Sequence, residues 1–125
     1  MHTILQRLKL RIGAPVVAAA LAGLSPAFAN AFLQRAAPPV GATVHAPHEL
    51  RLSFTEKIEP LFSKVTVQTA SGAPVQTGAP HSADGGQQLV LVLPVLPAGT
   101  YTVTWHVTSV DTHKTEGSFH FTVVP

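Results

Sequence analysis

Apolar and polar residues alternate with a period of two through most of this chain, and proline or glycine interrupts the pattern every few residues. Tyr101, Val103, Trp105 and Val107 alternate with Thr102, Thr104 and His106, while Phe119, Phe121 and Val123 alternate with His120 and Thr122. Leu50, Leu52 and Phe54 alternate with Arg51 and Ser53, and Val65 and Val67 with Thr66 and Gln68. Successive side chains of a strand point to opposite faces, so this period is the mark of strands with one buried side. Leu89, Leu91 and Leu93 interleave with Val90 and Val92; that run is apolar on both faces and is predicted to be central. Turn formers separate the runs at Pro38-Pro39-Val40-Gly41, Ser71-Gly72, Ala83-Asp84-Gly85-Gly86 and Pro97-Ala98-Gly99. No stretch offers a sustained helical face. Glu56 to Ser63 has room for one turn, limited by Pro60. Five or more short strands predict an all-β fold, a small antiparallel β-sandwich of Ig-like or cupredoxin-like Greek-key type. Trp105, Phe119 and Phe121 are assigned to its core, which puts His106 and His120 on the outward face.

The first residues read as an export signal. Arg7, Lys9 and Arg11 form a positive region, residues 14–24 an apolar run, and Ser25-Pro26-Ala27-Phe28-Ala29 an A-x-A cleavage pattern. The apolar run is shorter than the roughly 20 residues a membrane span requires. A signal peptide at 1–29 would leave residues 30–125 as a single exported, soluble domain. Ala29-Asn30-Ala31 offers a second cut that would leave Phe32 first. Cleavage also changes the charge: without Arg7, Lys9 and Arg11, the six acids outnumber the remaining Lys and Arg by one. No basic cluster is left to hold nucleic acid or an anionic membrane. The chain has no cysteine, and its one methionine is Met1. Sulfur ligands are thereby excluded, and with them the donors that soft metals such as Cu(I) prefer. His45, His48, His81, His106, His113, His120 and a few carboxylates remain as donors.

Asp111 and His113 stand two apart just after a strongly β-forming run. Their order presents a carboxylate oxygen and an imidazole nitrogen together at a strand end, the start of a divalent-metal site. Both share the inward phase of Trp105 and Val107, where an unpaired Asp would be costly. A loop or strand end after Val107 is therefore expected. The alternative is a plain Asx-type corner with a solvated histidine. A hairpin symmetric about residue 113 would place His106 opposite His120, within reach of a shared ion; two solvated histidines on a polar face is the preferred reading. His45 and His48 are spaced for chelation only on a helix, which Pro47 disfavours. His81 is read as exposed in a turn-rich loop. Glu56, at the end of its strand, is a candidate to orient a ligand histidine, or a surface acid beside Lys57.

The segment 105–123, as W-x-V-x-S-x-D-x-H-x3-G-x-F-x-F-x-V, resembles the closing signature of the CopC copper-resistance family. Ala31-Phe32-Leu33 leading to Pro38-Pro39-Val40-Gly41-Ala42-Thr43-Val44, Leu50-Arg51-Leu52-Ser53-Phe54-Thr55-Glu56 and Leu96-Pro97-Ala98-Gly99-Thr100-Tyr101 resemble its other strands and turns, in order. The resemblance implies a periplasmic, monomeric β-sandwich that binds Cu(II) in copper tolerance or uptake, without catalysis. The partners it implies are the copper ion and an inner-membrane copper transporter. Family members hold Cu(II) with the amino group and imidazole of an N-terminal His and with the Asp and His of D-x-H. Asp111 and His113 match; the first position does not, because Asn30 stands where the family has His. Asn30 offers an amine but no imidazole, so binding is expected to be weaker than at a three-nitrogen site.

Two rival functions follow from the same residues. A copper-dependent oxidative enzyme is disfavoured by the missing N-terminal His, the short loops and the small size, and a Ser-His-Asp hydrolase by the lack of a G-x-S-x-G elbow. A metal-free interaction module, a sandwich that kept the fold and lost its primary ligand, is kept open by Asn30.

Overall fold

The structure, a computed structural model, describes residues 31–125. The signal peptide read at 1–29 and Asn30 lie outside the described residues.

Strands form where the alternation predicts them, and three further short ones appear. They are β1 (Leu33–Ala37), β2 (Thr43–His45), β3 (Glu49–Phe54), β4 (Lys64–Thr69), β5 (His81–Ala83), β6 (Gln88–Val92), β7 (Gly99–Thr108) and β8 (Lys114–Val124). Two four-stranded sheets result, ordered β1-β3-β6-β5 and β2-β8-β7-β4. The expected all-β sandwich is present, with one departure from a purely antiparallel pattern: β2 runs parallel to β8, Thr43 beside Thr122. The proline-rich link after β1 carries the chain into the second sheet, where β2 joins as an edge strand.

Inward positions behave as the period requires. Leu50, Leu52 and Phe54 of β3, Leu89 and Leu91 of β6, Val67 of β4, Val103 and Val107 of β7 and Phe121 of β8 are all essentially inaccessible. Each such side chain contributes about 1.5–3 kcal/mol relative to exposure, and the two inner faces together form one core. β6 does lie inside its sheet, between β3 and β5; Val90 is buried, but Val92 is exposed. Pro60 starts a single 3-10 turn, Pro60–Phe62, at the position where its missing N–H costs nothing. His81 sits on β5 rather than in a loop, though exposed as expected.

β7 and β8 form the longest hairpin, paired from Gly99↔Val123 to Thr108↔Lys114. At about 3.3 Å per residue, ten residues of β7 separate the two ends of the molecule by roughly 30 Å. Trp105 pairs with Gly117, and its ring meets Phe54 edge-on at 6.1 Å and Phe119 at 6.4 Å.

Candidate metal centre

The hairpin closes through residues 109–113, which leave the strand pairing after Thr108. The expected loop is therefore where Asp111 and His113 sit, both exposed. They converge, with His113 Nδ1 3.5 Å from Asp111 Oδ1. The cause is not strand alternation. Thr112 lies in the left-handed region at φ 71°, a conformation that costs a β-branched residue about 1–3 kcal/mol. The Thr112 amide donates to Ser109 O at 2.8 Å and the Ser109 amide to His113 O at 2.9 Å, closing a tight turn that swings the two side chains together.

Ser109 is the hub of this turn, and it is 1 % exposed. Its hydroxyl donates to Asp111 Oδ1 and accepts from the His113 amide at 3.3 Å. The Ser109 hydrogen bond is the main reason that the Asp111 carboxyl is held below its ordinary value of 3.8; the nearby His113 adds to the effect, and desolvation opposes it. An ionised carboxylate fixed beside an imidazole is a bidentate oxygen–nitrogen donor set suited to a borderline divalent ion. Sequence reasoning gave Ser109 no role, although the S-x-D spacing was visible; a short polar residue two before an Asp reads equally well as turn chemistry.

The loop is clamped from below. The segment before β4 runs beside it, with Ile58 bridging Ser109, the Glu59 amide donating to Thr108 O at 2.9 Å and the Val110 amide to Lys57 O at 3.0 Å. Ser63 Oγ accepts from the Thr108 amide at 3.0 Å. Backbone bonds of this kind, over a buried Ile58, restrict the loop from opening. Close by, Thr115 Oγ1 donates to Ala31 O at 2.7 Å, which ties the first described residue, itself buried, to β8 two positions past His113.

The other candidate residues disperse. The hairpin is symmetric about residue 111 rather than 113, so His106 faces Glu116 and His120 faces Thr102. The His106–His120 juxtaposition that a hairpin symmetric about residue 113 would give does not form, because a five-residue loop closes the hairpin earlier; both histidines are exposed, in keeping with the preferred reading. His45 Nδ1 lies 2.9 Å from Pro125 O at the opposite end of the molecule, and His48 is exposed. Among the described residues no hydrogen bond or ion pair joins Glu56 to Asp111 or His113; the orienting group is Ser109. Nor does any group of three or more His, Asp or Glu side chains gather to hold an ion there.

A two-sheet β-sandwich that presents an imidazole–carboxylate pair on its longest hairpin is the class of protein that the fold and these residues define. Comparison narrows that class. A family model described as CopC domain matches residues 33–124. Copper resistance protein C from Xanthomonas campestris pv. juglandis is 41% identical over 115 residues, covering 86% of this chain and 90% of that protein. Among solved structures, CopC from Methylosinus trichosporium OB3b superposes with a TM-score of 0.72 at 36% identity, covering 77% of this chain and 95% of the other. PcoC, a methionine-rich copper resistance protein from Escherichia coli, gives 0.71 at 32% identity, with 76% and 99% covered. This chain belongs to the CopC family. It is a family of copper resistance proteins and not of enzymes, and unlike the methionine-rich PcoC this member has no methionine beyond Met1.

Proposed function

We propose that this protein is an exported Cu(II) carrier or scavenger in copper resistance, and that Asp111 and His113 hold the ion. The observation that supports this best is the 3.5 Å convergence of the two donors on a turn organised by a buried serine. Divalent copper follows from the donor types: one imidazole, one carboxylate and no sulfur suit Cu(II), which also stands highest in intrinsic affinity among the divalent first-row ions. Copper here is cargo, bound and released without chemistry.

With two side-chain donors, a third has to come from elsewhere. If the chain is cut after Ala29, the free amine of Asn30 lies one residue, about 3.8 Å of backbone, before Ala31, whose carbonyl is bonded to Thr115. That attachment supports the amine as the third donor, and the missing imidazole at position 30 lowers affinity relative to relatives that begin with His. A periplasmic location and hand-over to an inner-membrane copper transporter complete the reading; among the described residues there is no helix long and apolar enough to cross a membrane.

Titrating the protein that begins at Asn30 with Cu(II) against a competing chelator, with visible and EPR detection, tests the assignment. His113→Ala is expected to weaken the tightest site at least tenfold and change its EPR hyperfine splitting. Unchanged affinity and an unchanged spectrum in that variant refute the site.

A further inference from the structure

The shifted register of the β7–β8 hairpin creates a juxtaposition outside the D-x-H loop. His106 and Glu116 are direct cross-strand partners, and His106 Nδ1 stands 3.3 Å from Glu116 Oε1. Both side chains are more than half exposed, at 57% and 70%, so neither is committed to packing. They border a surface cleft of about 370 Å³ whose other walls include Phe62, Thr108 and Lys114.

The spacing has a chemical consequence. An imidazole nitrogen and a carboxylate oxygen each about 2.0–2.1 Å from one ion, at 90–110° to each other, sit about 2.8–3.4 Å apart. The 3.3 Å separation of His106 and Glu116 falls in that range. Rigid neighbouring strands hold the two Cα atoms in register, so bringing the donors together costs little further entropy. The open cleft leaves room for water to fill the remaining coordination positions.

We infer that His106 and Glu116 form a second, weaker site for a divalent transition metal on the outer face of the same hairpin, distinct from the Asp111–His113 pair. Two features set its strength below that of the first site. Lys64 lies opposite His106 on its other flank, on β4, and Lys114 lines the cleft; both charges repel a cation. Among the described residues no buried hydroxyl bonds to Glu116 as Ser109 bonds to Asp111. A weak site with open coordination exchanges its ion readily, a property suited to loading rather than to storage.

Cu(II) is the probe for the test. Wild-type protein titrated under EPR is expected to show two spectroscopically distinct ions, the second at least tenfold weaker. His106→Ala and Glu116→Gln, both at exposed positions, are each expected to abolish the second signal and leave the first unchanged. His113→Ala is expected to do the reverse, which separates failure of this site from failure of the D-x-H assignment. If His106→Ala and Glu116→Gln bind the same number of ions as wild type with the same spectra, the second site does not exist.

Discussion

Gly117 offers the sharpest test of how this hairpin is built, because the rest of the protein leaves no room above it. A Cβ placed there would collide with Trp105 Cζ2 and lie 2.5 Å from Cη2, with Cε2 at 3.1 Å, against ordinary contact at 3.4–4 Å. Gly117→Ala therefore forces the indole back by about 1 Å, or pushes β8 away from β7. The indole is hemmed in by Phe54 and Phe119, so it cannot retreat freely. Overpacking of this kind costs about 1–3 kcal/mol, and disturbing one or two aromatic contacts adds about 0.5–1.5 kcal/mol each. The expected loss is about 2–4 kcal/mol, a large share of the roughly 5–15 kcal/mol that stabilises a domain. It corresponds to a drop in Tm of about 10–25 °C. The sign is itself diagnostic. The backbone at Gly117 has no positive φ, and at such a position Gly→Ala normally stabilises by about 0.4–1 kcal/mol through the unfolded chain. Urea unfolding followed by the fluorescence of the single tryptophan, with thermal melts by circular dichroism, measures the change. Trp105→Phe in the Gly117→Ala background is expected to recover part of the loss. An alanine variant as stable as wild type would show that the indole does not rest on the glycine, and the packing account would fall.

Two further outcomes follow from the site and from its far end. Because Asp111 titrates below 3.8 in the folded protein, its stabilising contribution is present above that pH and is lost as pH falls through the lowered folded value. Ser109→Ala is expected to move the Asp111 midpoint up toward 3.8, measured by NMR titration of the carboxyl carbon; an unmoved midpoint contradicts the role given to the hydroxyl. Tyr101→Phe removes the bond from the buried phenol to Pro97 O at 2.6 Å, and denaturant melts are expected to show a loss of about 0.5–1.5 kcal/mol. Cu(II) affinity is expected to hold, since Tyr101 lies near the opposite end of β7; altered affinity would show that the two ends are coupled.

Strand positions and the inward phase of Phe54, Phe121 and Val103 were legible along the chain, because burial of one sheet face imposes its period on consecutive residues. So was the nearness of Asp111 and His113, two residues apart after the strand. Register was not legible. Whether His106 meets His120 or Glu116 depends on where the hairpin turns, and a change of a few residues in loop length leaves every alternation intact while moving every cross-strand partner. The short strands β2 and β5 also escaped, since three residues carry too little periodicity to register.

Composition and period alone specify an all-β chain with nitrogen and oxygen donors and no sulfur beyond Met1, because neither changes on folding. Which side chains organise and crowd one another depends on contacts made across the sheets. Ser109 became the organiser of the site because Ile58 and the segment around it close over the loop and bury its hydroxyl, leaving Asp111 and the His113 backbone as its partners. Gly117 became obligatory because the register sets it beneath an indole. Both are facts about neighbours distant in sequence, and a strand pattern contains no information about what lies across from it.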